Sequence, residues 1–358
     1  MCNACSALNV EQSEAFAAKM MQIANSGALA LMVSIGHRTR LFDSMSETGA
    51  ATCGEIASRA GLNERYVREW LGAMVTGGIV ENDGEAGTYL LPAEHAAWLT
   101  RAASPDNFAV ALQFIPLLGS VESDIVECFQ RGGGVPYSRY TRFHEVMAEE
   151  SSQSVVSGLE EHIVPLVPGL IERLESGIEV LDVGCGSGRA MNWLARRFPK
   201  SRFVGYDFSE EAIANARREA RLHATGNVTF RVRDVAAVEE NGHFDLITAF
   251  DAIHDQADPA GVLAAIRRAL KPDGVFLMQD IKGHSAHHEN TEIPLAPLLY
   301  TISCMHCMTV SLAAGGAGLG AMWGRELAER MLDDAGFGTL EVLELDHDIM
   351  NYWYVARA

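Results

Sequence analysis

The residues with the clearest chemical potential are a carboxylate and three glycines that follow an apolar, predicted strand. Asp182 is followed by Gly184, Gly186 and Gly188 at the start of a predicted helix. Glycines at such a turn let a ligand approach the backbone closely. The dinucleotide fingerprint Gly-x-Gly-x-x-Gly is broken here, because Arg189 stands three residues after Gly186. Asp182 is instead well placed to accept hydrogen bonds from a ligand ammonium group, which NAD lacks.

Two further acids follow the next two predicted strands. Asp207 ends the second strand, where a carboxylate can bind two ribose hydroxyls. Asp234 follows the third strand, where it can accept a hydrogen bond from the adenine amine. Together the three acids favour S-adenosylmethionine as the ligand, although loop acids that close an empty sheet would give the same pattern. The neighbouring residues predicted to line this site are Phe208, Val235, Phe250 and Asp251.

The elements that must position these acids alternate between strands and helices. The predicted strands are 178–183, 203–206, 228–232, 244–249, 275–279, 339–345 and 351–356. Helical stretches between the first five strands indicate a parallel sheet with crossovers. The last two strands are joined by only a few residues and therefore form an antiparallel hairpin. The sequence thus predicts a Rossmann-like α/β domain with seven strands, the last of them antiparallel.

The amino-terminal part has the pattern of a winged helix. Thr52 and Glu55 form a capping box, and Asn63 begins the next helix after a glycine turn, as in a helix-turn-helix. Apolar segments at 79–80 and 88–91 flank an Asn-Asp-Gly turn and predict a hairpin wing.

A chain of 358 residues exceeds the usual size of a single core, so more than one domain is expected. We predict a winged-helix domain over 1–100, a helical linker over 101–174 and the α/β domain over 175–358. Within the linker, helices are expected at about 104–130 and 140–175.

The ordered motifs carry a family resemblance. The glycine turn, the three acids and the Lys271–Gly274 turn resemble class I, Rossmann-like methyltransferases over about the last 180 residues. The whole chain is similar to winged-helix methyltransferases of actinobacteria and animals that are often labelled transcriptional regulators. It looks more distantly like the plant and bacterial small-molecule O-methyltransferases. The resemblance implies S-adenosylmethionine as cofactor, and the O-methyltransferases imply a homodimer formed through the amino-terminal domain, which also walls the substrate pocket.

His254 is the predicted catalytic base. It follows the fourth strand and looks like the histidine of the His-Asp pair that serves as general base in those O-methyltransferases. Transfer to a hydroxyl needs such a base, because the proton must leave as the oxygen attacks. This sequence has Gln256 where those enzymes have Trp, and their pattern supplies no partner acid for the imidazole. A histidine that only packs near the cofactor therefore stays open as an alternative.

Two segments that resemble the winged-helix methyltransferases would border the cofactor cleft. Phe143 and His144 precede the first strand of the α/β domain and are predicted to cover the cofactor. His306, Cys307 and Trp323 follow the fifth strand and are predicted to line the acceptor pocket. Each of these side chains could equally be a packed core residue.

Charge narrows the range of partners. The chain has 47 acidic and 28 basic residues and a net charge of −19, which repels nucleic acid and anionic lipid. We therefore expect a small-molecule methyl acceptor, with no nucleic acid and no membrane. The stretch 293–324 carries no charge except a histidine, but its prolines and glycines indicate pocket or interface lining. The amino terminus has no signal-peptide pattern, which favours the cytoplasm.

The seven cysteines have no regular spacing and read as free thiols in a reducing compartment. Cys2 and Cys5 could join Cys304 and Cys307 in binding zinc or a metalloid, but they are far apart in the chain, and we expect no metal. Oxygen is the expected acceptor atom. Two alternatives remain: methylation of a sulfur or metalloid nucleophile, and a transcriptional regulator that senses S-adenosylmethionine.

Overall fold

The computed structural model describes residues 8–357, which divide into two compact units. The first unit ends at Pro116 and the second begins at Leu117. The predicted linker 101–174 is therefore divided between the units, and most of it belongs to the second.

The structure differs from the linker prediction because this segment contributes to the core of the α/β unit. Val155, Leu159 and Ile163 are buried in the same cluster as the strand residue Val180. The two long helices predicted there are broken into short pieces. Prolines such as Pro165, which lack a backbone N–H, end regular helix in this region.

The first unit contains the predicted winged helix. Its helices are α1 (Val10–Arg38), α2 (Leu41–Thr48), α3 (Cys53–Ala60), α4 (Glu64–Thr76) and α5 (Ala93–Leu99), with helical turns at Arg101–Ala103 and Ala111–Gln113. Its strands are β1 (Ala51–Thr52), β2 (Glu81–Asp83) and β3 (Thr88–Leu90), which form an antiparallel sheet in the order β1-β3-β2. The capping box is present, since the backbone N–H of Thr52 donates to the Glu55 carboxylate at 2.8 Å.

The helices of the second unit surround its sheet. They are α6 (Phe114–Gly119, which begins before the unit boundary), α7 (Glu122–Arg131), α8 (Phe143–Ser154), α9 (Leu170–Ser176), α10 (Arg189–Arg197), α11 (Glu210–Leu222), α12 (Pro259–Ala269), α13 (Ala296–Ile302), α14 (Met308–Ala313) and α15 (Arg325–Asp334). Short 3-10 turns lie at Tyr137–Arg139, Val156–Gly158, Val164–Leu166, Val235–Ala237 and His287–Asn290, and π-helical turns at Leu159–Ile163 and Ser303–Cys307.

The sheet has the predicted seven strands. They are β4 (Glu179–Val183), β5 (Arg202–Asp207), β6 (Val228–Val232), β7 (Phe244–Phe250), β8 (Leu270–Ile281), β9 (Thr339–Leu345) and β10 (Asp348–Arg357), in the order β6-β5-β4-β7-β8-β10-β9. The first five are parallel, and β10 runs antiparallel to both of its neighbours. Both faces are covered, because Leu181 packs into one apolar cluster and Val180 into another. The carboxyl ends of β4 to β8 therefore share one edge.

Two helical segments among the described residues, Val10–Arg38 and Ala296–Ala313, pass a length and composition test for membrane spans. In the second segment 44% of the tested window is buried inside the structure. A partly buried core segment passes the same test, so this result does not distinguish the two cases.

Candidate active site

The glycine turn after β4 has a backbone that requires glycine. Gly184, Gly186 and Gly188 have φ values of 69°, 52° and 71°, which is the left-handed region. A Cβ atom on Gly184 would lie 2.5 Å from the Ala252 Cβ, whereas one on Gly186 would meet nothing within 4 Å. The turn is thus packed tightly against the protein at one glycine and open at the next, which is the arrangement that a ligand close to the backbone requires.

Asp182 is a buried carboxylate with few partners. Its Oδ1 accepts a hydrogen bond of 2.6 Å from the Thr248 hydroxyl. Burial raises the pKa of Asp182 to about 7, and the nearby charge of Asp207 adds to the effect. A carboxylate in this environment gains most from a cationic ligand, because the opposite charge favours its ionised form.

Asp207 is held rigidly at the end of β5. Its Oδ2 accepts the backbone N–H of Gly186 at 2.9 Å, and its Oδ1 accepts that of Ser209 at 2.8 Å. Burial raises the pKa of Asp207, although these two hydrogen bonds oppose the shift. Asp234 accepts the backbone N–H of Ala236 at 2.9 Å and so begins the helical turn after β6.

A single cleft brings together most of the predicted cofactor residues. The predicted residues that line it are Asp182, Gly184, Gly186, Asp207, Phe208, Asp234, Val235, Phe250, Asp251, Phe143 and His144. Gly188 lies behind the turn, where a Cβ atom would come within 2.6 Å of the Phe230 ring. The lining residues that were not predicted as site residues are Tyr137, Met147, Ala148, Ser151, Cys185, Ser187, Arg189, Ala190, Arg233, Ala252, Asp255 and Gln256.

Aromatic rings form one wall of this cleft. The Tyr137 ring lies edge-on to Phe143 and Phe208, with centroids 5.4 and 5.1 Å away. Its hydroxyl donates a 2.8 Å hydrogen bond to Asp255. The His144 Nε2 lies 2.9 Å from the Ser209 hydroxyl. Tyr137 could have been noticed in the sequence, since it stands just before the segment that contains Phe143.

His306 packs behind this wall and does not line the cleft. Its ring stacks on Phe143 with centroids 3.7 Å apart and an interplanar angle of 9°. Burial lowers the pKa of His306 well below its usual range, and the charge of His254 lowers it further. His306 is therefore a neutral packing partner of the aromatic wall.

His254 is buried and paired with an acid that the sequence did not identify. Its Nδ1 lies 2.8 Å from Oδ1 of Asp280, near the end of β8. Burial alone would lower the pKa of His254, but the adjacent Asp280 carboxylate outweighs it and raises the pKa well above its usual value. Trp323 does not reach the cleft either, since its Nε1 donates to the same Asp280 oxygen at 2.9 Å. Trp323 therefore helps to orient the Asp280 carboxylate that pairs with His254.

The cysteines of the predicted pocket occupy different environments. Cys307 is buried near the His254 imidazole, while Cys304 is partly exposed. Burial raises the pKa of both thiols. Cys2 and Cys5, which would complete the predicted four-cysteine site, lie outside the described residues.

Comparison with known proteins agrees with this fold. A family model described as an Rv2258c-like winged HTH domain matches residues 27–101, and one described as a methyltransferase domain matches residues 174–336. The ubiquinone biosynthesis O-methyltransferase of Neisseria meningitidis serogroup A is 35% identical over 109 residues, which are 29% of this chain and 44% of that protein. The matched region thus spans less than half of that curated relative.

Solved structures resemble the whole chain at low identity. Human N-acetylserotonin methyltransferase, in complex with S-adenosylmethionine, has a TM-score of 0.70 and 16% identity, covering 100% of this chain and 99% of that one. An O-methyltransferase family protein from Burkholderia thailandensis has a TM-score of 0.68 and 16% identity, covering 95% of this chain and 97% of that one. At these identities the likeness establishes the fold.

The α/β unit is therefore a class I methyltransferase domain, and its cofactor is S-adenosylmethionine. The chain combines this domain with an amino-terminal winged-helix domain of the Rv2258c-like type. The residues of the cleft fit this cofactor: Asp182 suits the ammonium group, Asp207 the ribose and Asp234 the adenine.

Proposed function

We propose that this enzyme transfers a methyl group from S-adenosylmethionine to an oxygen of a small molecule, with His254 as the general base. The observation that carries the proposal is the pair of His254 and Asp280, which lies at the tips of β7 and β8 next to the cofactor cleft. The bound cofactor supplies an electrophilic methyl group. The protein's task is then to align the acceptor and remove its proton.

Asp280 gives the imidazole the orientation that a base requires. If Nδ1 donates its hydrogen to the carboxylate, Nε2 is left as the acceptor for a hydroxyl proton. The carboxylate also stabilises the imidazolium that forms, which agrees with the raised pKa of His254. Asp280 does not line the cleft, so we assign it a positioning role.

The aromatic wall would exclude water from the reaction. Phe143 is buried and Tyr137 partly buried, and the hydroxyl of Tyr137 fixes Asp255, the residue after the base. Exclusion of water strengthens electrostatic interactions within the site and prevents loss of the methyl group to solvent.

The test is transfer of a labelled methyl group from S-adenosylmethionine into fractionated metabolite extracts. We expect the wild-type enzyme to label at least one small molecule, and Asp182→Ala to label none because it lacks the ammonium partner. His254→Gln should bind the demethylated cofactor normally and label very little. Absence of binding heat with either form of the cofactor would overturn the proposal, as would full turnover by His254→Gln.

We further propose that the enzyme is a homodimer that associates through its first unit. Helix α1 is 29 residues long, and most of its apolar side chains are exposed in the single chain, including Phe16, Met20, Met21 and Ile23. Apolar patches of this kind mark interaction surfaces. Light scattering should report a dimer that Phe16→Glu dissociates, whereas Leu222→Glu, an equally exposed apolar position on α11, should leave it intact. A monomeric wild type would contradict the proposal.

The winged helix is proposed to serve this association and not DNA. The wing carries Glu81, Asp83 and Glu85, all exposed, where a DNA-binding wing would meet phosphates. A salt-dependent mobility shift of duplex DNA at low micromolar protein would favour the regulator alternative.

A further inference from the structure

Two carboxylates lie close together, Asp251 in the lining of the cleft and Asp280 outside that lining. Asp251 follows β7 and Asp280 lies near the end of β8, and these strands are parallel neighbours that pair Phe250 with Gln279. A ligand atom from Asp251, one from Asp280 and one from His254 all lie within 4.8 Å of one another. Three groups that can bind a metal thus converge on one small volume.

The hydrogen bonds around Asp280 are all on one side of its carboxyl group. Its Oδ1 is approached by the His254 Nδ1, the backbone N–H of Ile281 and the Trp323 Nε1, each within 2.9 Å. Its Oδ2 is buried and has no partner in the described part of the chain. These contacts orient the carboxylate and leave the lone pairs of Oδ2 free. In metal sites, residues around a ligand orient it by hydrogen bonds in the same way.

Asp251 also has a buried carboxylate oxygen without a hydrogen-bond partner among the described residues. Its Oδ1 is buried and lacks a hydrogen-bond partner among residues 8–357. A buried polar atom without a partner costs free energy, so two such carboxylate oxygens close together indicate that a ligand or ion binds between them.

The backbone of Asp251 has a φ of 49°, and its N–H donates a hydrogen bond to the Gln279 carbonyl at 3.1 Å. Strain of this kind is characteristic of functional sites.

The acids near Asp251 disfavour its ionised form. Burial raises the pKa of Asp251 well above its usual range, and the nearby Asp280 carboxylate raises it further, with Glu150 and Asp348 acting in the same direction and only His254 opposing them. Asp251 therefore holds a proton near neutral pH while no cation is bound, and a cation between the two carboxylates would displace that proton.

We propose that Asp251 and Asp280 bind a divalent cation of the Mg²⁺ or Mn²⁺ class, beside His254. These ions prefer oxygen ligands, and Mg²⁺ is often held by one or two carboxylates, with water and substrate oxygens completing its coordination. The inference deepens the proposed function, because such an ion would bind the acceptor oxygen and lower the pKa of its hydroxyl. The hydroxyl proton passes to His254, the new bond joins the acceptor oxygen to the methyl carbon, and the bond from that carbon to sulfur breaks.

Two other occupants make different predictions. A proton shared between Asp251 and Asp280 would remove the need for a metal, and so would a positive charge on the bound cofactor. Measuring metal binding with each form of the cofactor bound separates these cases, because S-adenosylmethionine carries a sulfonium charge that the demethylated cofactor lacks. Either form occupies the cleft, while the metal is detected by its own signal.

The experiment titrates chelator-stripped, full-length enzyme with Mn²⁺ in the presence of saturating demethylated cofactor and, in a second series without acceptor, of saturating S-adenosylmethionine, and follows free Mn²⁺ by electron paramagnetic resonance. We expect one tightly bound Mn²⁺ per chain in both series, and loss of Mn²⁺ binding in the second series would assign the site to the charge of the cofactor. Asp251→Asn should weaken that affinity by more than about 10-fold. Asparagine tolerates the same backbone conformation, so this variant should fold. Trp323→Phe, which removes a donor to Asp280, should weaken it less.

The matched control is Glu289→Gln, which alters the second described group of possible metal ligands, formed with His284 and Glu326. It should leave the tight site unchanged. Failure to bind Mn²⁺, or tight binding that survives Asp251→Asn, would overturn the inference. Calorimetry with the demethylated cofactor is run on the same samples. Normal cofactor binding and chelator-resistant turnover would leave the proposed function intact while the metal inference fails.

Discussion

The two halves of the catalytic edge are built differently. On the side of β4 to β6, each acid proposed to bind the cofactor lies at or just after the end of its own strand, so the strand ends place it even though Asp182 and Asp207 also bond to Thr248 and Gly186 on other segments. On the side of β7 and β8, the partners of the histidine are not placed by a strand end that carries a motif, since His254 pairs with Asp280 and Asp280 with Trp323. The position of the first group thus follows from the strand pattern, and the pairing in the second from packing of the completed fold.

This contrast explains what the sequence could and could not predict. The seven strands, their directions and the positions of Asp182, Asp207 and the glycines follow from local patterns, because a parallel sheet brings the strand ends to one edge. The partner of His254 did not follow, because it stands 26 residues away on another strand. The predicted pocket role of His306 rested on its position between strands, whereas the ring stacks behind Phe143. Local motifs do not specify which face of a loop a side chain presents.

The largest effect should come from the base. We expect His254→Gln to reduce kcat by about 10² to 10⁴, the usual contribution of general base catalysis. Affinity for the demethylated cofactor should not change, because His254 does not line the cleft. Single-turnover rates and calorimetry measure the two quantities separately. A parallel loss of both would mean that the two halves of the edge are not independent.

The cofactor half should respond in the opposite way. Asp207→Ala removes charged hydrogen bonds to the ribose and the support of the Gly186 N–H, so cofactor affinity should fall by about 100-fold. Asp273→Ala is the control, since that acid lies exposed in the turn of β8. Calorimetry of both variants decides the matter, and equal affinities would exclude Asp207 from the binding site.

The pH dependence of turnover tests the link between His254 and Asp280. The base must be unprotonated to act, and Asp280 raises its pKa, so kcat should fall as pH drops through that raised value. Asp280→Asn removes the negative charge, which lowers the pKa of His254 and moves this fall to more acidic pH. The maximum rate should also decrease, because the orientation of the imidazole is weakened. A purely structural Asp280 would lower the rate without moving the profile.

A smaller pH effect is expected in cofactor binding. Burial raises the pKa of Asp182 to about 7, and only its ionised form attracts an ammonium group. Affinity for the cofactor should therefore decrease as pH falls, by about fivefold between pH 7 and pH 6. In Asp182→Asn this dependence should disappear and the affinity should be low throughout. A wild-type affinity that is flat over this range would place the ammonium group elsewhere.

The smallest effect should come from Cys307→Ser, and it separates the possible acceptors. Serine keeps a hydrogen-bonding group beside His254, so an oxygen-methylating enzyme should retain most of its kcat. A sulfur or metalloid acceptor held by the thiol would instead make Cys307 essential, since a hydroxyl is a poor ligand for soft elements. Cys304→Ser serves as the comparison, because that thiol is partly exposed and makes no contact with the base among the described residues. Loss of turnover in Cys307→Ser alone would therefore redirect the search from hydroxyl compounds to thiols and metalloids, and would make the β7–β8 edge a soft-ligand site.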